Sequence, residues 1–392
     1  MDRKNLLKIR RLRHVLHSHA ELSGEETETK KILMEFMKAE TDFTIVDRGN
    51  WFYCRKDPAA GFCGRPIAFR ADMDALPIDE TLHLADSEGS YTSRRAGVSH
   101  KCGHDGHCAA LCGVGLELTG RNLTRPVILI FQHAEETGKG GEVCASLIKE
   151  LGIAEIYAFH NLGGYPEGSI VVREGLSQPA SKGLIVHFRG KESHASDPEE
   201  GNNPCSALCD LERYIRTLLA APHKGMILCT IVNIKAGSRD FGVSAGDGEI
   251  AMTLRAEYES EMEDLETAIR KKACEYASRD GLMVSFETAD PFPETRNDTR
   301  CLSKVVSCAS MLGDQLIYMT KLWRASEDFG WYLKQCPGAI FYIGNGEDYP
   351  PLHTCGYDFN DSILEKAVDL FSALCAMKDD ECEKEGWHET KK

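Results

Sequence analysis

The sequence predicts an α/β domain, its sheet covered on both faces by helices, interrupted by a smaller α+β unit of ferredoxin-like order. Three observations lead there. At 392 residues the chain exceeds what one hydrophobic core usually serves. Short, near-continuous apolar runs alternate with helix-patterned stretches in its outer parts. Its middle reads β-α-β-β-α-β, the order of a ferredoxin-like unit.

In chain order, Ser23-Gly24-Glu25-Glu26 has the capping-box spacing, and Ile32, Leu33, Phe36 and Met37 follow at helical spacing. Residues 66–70, 127–131, 156–159 and 339–343 are short apolar runs and read as buried strands. An apolar helix is expected to begin near Ala109. In the middle, 184–188 reads as a strand, and 204–221 as a helix with Leu208, Leu211, Ile215, Leu218 and Leu219 inward. Residues 226–234 and 249–256 read as strands joined through glycine-rich turns, 262–278 as a helix, and 282–288 as a last strand. The strand at 339–343 comes after this unit, so the unit is an insertion. Pro179 and Asp290-Pro291-Phe292-Pro293 punctuate its ends, which gives one domain from 1–180 with 293–392 and a second from 181–292.

Hydrophobic residues at 42% and charged residues at 27% fit a globular protein. The net charge of −15 leaves no evident basic surface, which argues against nucleic acid or an anionic membrane as partner. A pocket could still take an anionic substrate through one local cation or metal. Met1-Asp2-Arg3-Lys4-Asn5-Leu6-Leu7 runs into charged, helix-patterned sequence without an apolar stretch of export-signal length. No window approaches the length of a membrane span. A cytoplasmic protein is expected, with most of its sixteen cysteines reduced. Cys209, Cys229, Cys274, Cys308 and Cys375 fall in helix or strand patterns and read as small apolar core residues.

Ligands of open α/β sheets collect at the carboxyl ends of the strands, and polar clusters fall there. Asp72 and Asp74 follow the first strand, Gln132-His133-Ala134-Glu135-Glu136 the second, and His160-Asn161 the third. His353 follows the last by a short loop. His100-Lys101-Cys102-Gly103-His104-Asp105-Gly106-His107 precedes the helix expected near Ala109. A thiol, several imidazoles and two carboxylates in one crevice are what a divalent metal site requires. Imidazole and thiolate suit zinc, and carboxylate widens the choice toward manganese. More ligands than one tetrahedral ion needs point to two ions sharing a water, which lowers the water's pKa and polarises a carbonyl. Of Glu135 and Glu136, one binds metal while the other stays free to carry a proton from water to the leaving amine.

Each of these features also has a plainer reading. A lone His14 or His83 is more often a surface or hydrogen-bonded histidine than a ligand. A structural zinc knot needs paired cysteines, and the helix after His107 supplies none at that spacing. A solvated Glu135-Glu136 pair does not suit the end of a buried strand.

Four ordered motifs then carry a resemblance over nearly the whole chain. They are Arg70-Ala71-Asp72-Met73-Asp74-Ala75-Leu76-Pro77, Cys102-Gly103-His104-Asp105-Gly106-His107, Phe131-Gln132-His133-Ala134-Glu135-Glu136 and Ser326-Glu327-Asp328-Phe329. The sequence resembles the aminoacylase and carboxypeptidase family of dinuclear metallohydrolases, nearest the branch of hippurate hydrolase and auxin-conjugate amidohydrolases. That resemblance implies a zinc-peptidase-like catalytic domain with a mixed sheet, interrupted by a lid domain through which two copies form a homodimer. It implies two divalent ions, Zn or Mn, held by Cys102, His104, Glu136, His160 and His353, with Glu135 as general base. It also implies that His194, in Gly190-Lys191-Glu192-Ser193-His194, reaches a substrate carbonyl; by itself this would read as a loop histidine. Asp105 and His107 are expected to support the ligands.

Two departures stand out. Residues 236–244 lack the asparagine that in relatives helps bind substrate, and His353-Thr354-Cys355 replaces the familiar His-Thr-Pro, which changes loop stiffness. The expected reaction is hydrolysis of the amide of an N-acyl amino acid or a related small conjugate. Arg255 is a candidate partner for the substrate carboxylate, with a structural ion pair as its equal reading. The alternatives are a dipeptidase or carboxypeptidase acting on short peptides, and a dimeric metal-binding regulatory protein without catalysis.

Overall fold

The computed structural model describes residues 1–59, 64–87 and 89–377, and its contacts divide the chain into two compact units. Among the described residues, the first comprises Met1–Ser177, Arg296–Leu322 and those from Asp328 on. The second comprises Gln178–Thr295 together with Trp323–Glu327. Nothing in the sequence assigns those last five residues to this unit, because they join it through space and not along the chain.

The sheet of the first unit is mixed and has eight strands. Edge to edge they are Thr44–Asp47, Phe52–Lys56, Val127–Gln132, Ile67–Asp72, Glu155–Leu162, Gly338–Gly344, Ile170–Val172 and Leu316–Tyr318. The third to sixth of these pair in parallel, so their carboxyl ends lie along one edge. All four are buried over their full length. Alternation along Val127–Gln132 divides two cores. Val127, Leu129 and Phe131 join the cluster formed with Arg3–Ser18, Thr27–Glu40, His104–Leu118, Thr299–Met311 and Leu364–Ala376. Ile128 and Ile130 pack instead with Gly140–Leu151 on the opposite face. Cover on both faces is why these strands read as unbroken apolar runs.

Four local expectations need correction. The helix expected near Ala109 begins at His104, because the polar His-Asp-Gly-His of its first turn hides the apolar pattern that follows. His160 and Asn161 lie inside the strand Glu155–Leu162, not after it. Ser23 caps nothing: its hydroxyl donates to Asp74 Oδ2 (2.6 Å), the helix starts at Thr27, and Glu21 accepts from Thr29 N. Cys209 and Cys274 are exposed, since each lies off the apolar stripe of its helix; Cys229 is half-buried and packs against the second unit's core with Ile227 and Ile231, and Cys308 and Cys375 are buried as expected. None of the fourteen described cysteines is in a disulfide.

In the second unit four antiparallel strands lie in the order Ile227–Ala236, Asp247–Ala256, Ala180–Arg189 and Met283–Phe292. Leu184, Val186, Phe188, Ile250, Met252 and Leu254 alternate onto one face, where they pack with Cys205–Leu219 and Glu259–Asp280. The other face carries polar residues such as His187, Glu249 and Glu287. Among the described residues no helix is long and apolar enough to cross a membrane.

The first helix also carries a buried charge cluster. Arg13 Nη1 donates to Asp358 (2.7 Å) and its Nε to Asp361 (2.8 Å). The His17 ring lies between Asp105 and Glu80, 2.8 Å from each. Burial alone would lower the His17 pKa, but the bonds to Asp105 and Glu80 outweigh it and raise it to about 9. A raised histidine pKa stabilises the fold fully below its ordinary value of 6.5, and that stabilisation is lost as pH rises through 9. The thermal midpoint is therefore expected to fall between pH 6.5 and 9, and to fall less in His17→Gln. Equal slopes for the two proteins would remove His17 as the cause.

Candidate active site

Most site residues stand where a strand end or a helix start puts them, whereas His353 lies in a turn at φ 60°. The motif that begins at Arg70 leaves the strand Ile67–Asp72 and carries Asp72 and Asp74, both fully buried. Glu135 and Glu136 follow Val127–Gln132, and His160 sits near the end of Glu155–Leu162. Cys102 precedes the helix His104–Leu118, with Gly103 between them at φ 96°. That glycine is required. A Cβ there would stand 2.6 Å from Asn161 Oδ1 and 2.8 Å from the Tyr357 hydroxyl.

The structure brings Cys102, His104, Glu135, Glu136, His160 and His353 together. Cys102 Sγ lies 3.4 Å from His160 Nε2 and 3.3 Å from His353 Nε2. Glu136 Oε1 is 3.4 Å from His353 Nε2 and 3.7 Å from His104 Nε2, while Glu135 Oε2 is 3.9 Å from His104 Nε2. Two triads share the thiol: Cys102, His104 and His160, and Cys102, Glu136 and His353. In each, the donor atoms lie within 4.8 Å of one another.

The imidazoles are oriented from behind. His104 Nδ1 donates toward Asp74, whose carbonyl is at 3.0 Å and Oδ1 at 3.2 Å, and His160 Nδ1 donates to Asn161 O at 2.8 Å. With a cation bound, both Nε2 atoms would offer it their lone pairs, as in metal-ligating histidines held by a carboxylate or carbonyl. His107 is used differently. Its nitrogens meet Asp72 Oδ1 and Asn161 Oδ1, each at 2.6 Å, so it braces the ligands instead of joining them.

The donor set fits divalent cations. His104 Nε2 and Glu136 Oε1 are buried without a hydrogen-bond partner among the described residues, although both face the cluster. Buried polar atoms without partners are costly, and a shared cation would satisfy both. Burial, with Glu136, Glu135 and Asp72 nearby, pushes the Cys102 thiol far up; burial, with His107 and His104 nearby, pushes His160 far down. A cation held here would have to displace the thiol proton, so its affinity would rise with pH.

Behind this layer runs a rigid buried network. Arg70 donates to Gln132 Oε1 (2.9 Å), Asp72 Oδ2 (2.9 Å) and Asp328 Oδ1 (2.7 Å). Asp328 also accepts from Gly141 N at 2.7 Å and from Gln132 Nε2, which ties the helix Gly140–Leu151 to the strand Val127–Gln132. Sequence reasoning missed Asn161 and Tyr357 here. Asn161 Nδ2 bonds to Cys102 O (3.2 Å) and the Tyr357 hydroxyl (2.5 Å), and its only sequence signal was its place beside His160.

Two expected residues stand apart from this set, in the second unit. His194 is exposed, pairs across a short ladder with Val243, and bonds Ser196 Oγ through Nδ1 (2.7 Å). The loop at 236–244 that departs from the family pattern is thus the backbone partner of His194. Arg255 is half-buried, and its guanidinium donates to Arg324 O.

A buried thiol, imidazole and carboxylate centre at the carboxyl edge of a parallel sheet, with a further carboxylate beside it, defines the class of metal-dependent hydrolases. Residues 68–377 match Peptidase family M20/M25/M40, so the chain belongs to that family and is a metal-dependent amidohydrolase. It is 27% identical to the N-acetylcysteine deacetylase of Bacillus subtilis, over 93% of this chain and 95% of that protein. It is 28% identical to thermostable carboxypeptidase 2 of Saccharolobus solfataricus, over 94% of each. A Bacillus subtilis crystal structure described as a dinuclear metal-binding peptidase of the M20 family superposes with a TM-score of 0.78. It is 25% identical and covers 96% of this chain and 98% of that one.

Chelation is expected to abolish turnover and lower the melting temperature. Cys102→Ala should bind less metal per chain by elemental analysis; unchanged content would remove Cys102 from the ligand set. Gly103→Ala should cost about 1–3 kcal/mol in denaturant unfolding, from a strained φ and the crowding at Asn161.

Proposed function

We propose that the chain hydrolyses the amide bond of N-acyl amino acids or related small conjugates. The observation that carries this reading is the pair of donor triads sharing Cys102, with Glu135 beside them. On it, Cys102, His104, Glu136, His160 and His353 hold two divalent ions, Zn or Mn, in keeping with their mixed donor chemistry. Bound there, such ions lower the pKa of a water and polarise the scissile carbonyl.

The chain's own residues do the rest. Glu135 is almost wholly buried beside His104 and Glu136. It takes the proton from the attacking water and returns it to the nitrogen of the leaving amine. Its neighbour Glu136 is committed to the ions and so is not available for that transfer. Asp72 and Asp74 are held ionised despite burial. His104, Arg70 and His107 stabilise the first; His104, Ser23 and the Glu136 amide stabilise the second.

The second unit has the strand order of a ferredoxin-like domain, and we assign it the lid and homodimer role that the family resemblance implies. His194 is assigned to the substrate carbonyl and Arg255 to the substrate carboxylate. The altered 236–244 loop, paired with His194, then tunes which conjugate is accepted. We also assign the chain a cytoplasmic location.

The relative named a deacetylase supports acyl amino acids, and the one named a carboxypeptidase keeps a peptide-cleaving reading in view. Metal-reconstituted enzyme is expected to turn over N-acyl amino acids faster than unacylated dipeptides; the reverse order overturns the substrate class. Glu135→Gln should keep its metal and lose roughly 10²–10⁴ in kcat. Undiminished kcat in that variant would falsify the role given to Glu135.

A further inference from the structure

The Ser23–Glu26 stretch read as a helix cap, yet its side chains point elsewhere. Glu26 is 4% exposed, and its Oε1 accepts from Ala134 N at 2.7 Å. Ala134 immediately precedes Glu135 and Glu136, and it is one of three described non-glycine residues with positive φ, at 49°. Beyond it the turn closes on itself. Ala134 O accepts from the amides of Lys139 and Gly140, each at 3.1 Å, and Glu135 O accepts from Gly138 N at 2.8 Å.

That backbone has a consequence for the two carboxylates. In a continuing strand, successive side chains point to opposite faces, so Glu135 and Glu136 would diverge. Here both approach one atom, His104 Nε2, at 3.9 and 3.7 Å. The left-handed residue before them redirects the chain, and a left-handed alanine is strained. Two carboxylates hold that course: Glu26 at Ala134 N, and Asp74 Oδ2 at Glu136 N (2.9 Å), itself braced by the Ser23 hydroxyl.

We propose that Glu26 is a positioning residue, whose hydrogen bond to Ala134 N holds the left-handed turn that aims Glu135 and Glu136 at one centre. This rests on the general-base reading of Glu135. Burial and the nearby Asp74 push the Glu26 carboxyl up to about 7, which fits a group whose acceptor oxygen matters more than its charge. Glutamine retains that oxygen. Glycine at 134 takes positive φ without the alanine's strain, and so needs no strap.

The test uses metal-reconstituted full-length protein, with metal content and melting temperature recorded for every variant. Glu26→Ala is expected to lower kcat roughly tenfold to a hundredfold at full metal occupancy, the scale of a small misplacement of a catalytic group. Its KM should stay within about threefold, which marks an interaction made only in the transition state. Glu26→Gln should keep kcat within about threefold of the parent. Adding Ala134→Gly to Glu26→Ala should recover most of the lost kcat. A residue needed only for stability would lower the melting temperature without that split in kcat or that rescue. If Glu26→Ala does not fold, Glu26→Asp takes its place, since it withdraws the acceptor by one methylene.

Glu135→Gln is measured alongside. Full turnover in Glu26→Ala beside an inactive Glu135→Gln overturns the positioning role alone. Full turnover in Glu135→Gln overturns the general-base reading and this proposal with it. Loss of kcat in Glu26→Ala that neither Glu26→Gln avoids nor Ala134→Gly repairs also overturns it.

Discussion

The carboxylate of Asp74 is the contact on which the site depends. Its side chain is wholly buried and accepts on both oxygens: Oδ1 faces His104 Nδ1, and Oδ2 takes the Glu136 amide and the Ser23 hydroxyl. Burial by itself would protonate such a group, and the donors around it hold its pKa below the usual range instead. Three chain segments far apart in sequence are thereby fixed to one side chain. His104 is given its tautomer, the Glu135-Glu136 turn its course, and the Ser23–Glu26 segment its anchor. An unpaired donor at any of these places would be a buried, unsatisfied group.

The rest of the first unit supports that arrangement. Parallel strands bring the motifs to one edge because their carboxyl ends coincide, and two cores clamp the strands from either face. The Arg70, Gln132, Asp72 and Asp328 network then fixes side-chain directions that strand pairing leaves open. Every main donor in it has an acceptor, which is the condition under which a buried polar network is rigid and not merely expensive. The functional consequence is a centre whose donors converge, with the ring nitrogens oriented toward it by the hydrogen bonds behind them.

Much of this was legible along the chain. The four central strands of the first unit lie within a few residues of the apolar runs that announced them, because burial on both faces leaves a strong, local signal. The second unit showed its alternation for the opposite reason, having one face packed and one polar. Glu135 and His160 stood out as polar residues at the ends of buried apolar runs, and Cys102 as a thiol among imidazoles just before an apolar helix. What escaped was whatever depends on backbone course. The helix at His104 was placed five residues late because its first turn is built of side chains facing the site, not the core. Ser23-Gly24-Glu25-Glu26 satisfied the spacing of a cap, but spacing does not say which donor a hydroxyl or carboxylate will meet.

The sequence by itself determined the residue types at the centre, the two kinds of sheet, and the motifs that align with the M20/M25/M40 family. Those follow from composition and period, which are local properties. Only the tertiary structure decided which nitrogen of each histidine faces the centre, and that His107 braces while His104 presents a free Nε2. It alone joined Trp323–Glu327 to the second unit and bent Ala134 into the left-handed region. The physical reason is common to all of these. They are set by hydrogen bonds between residues distant in sequence, and such partners are chosen by packing, which no local pattern encodes.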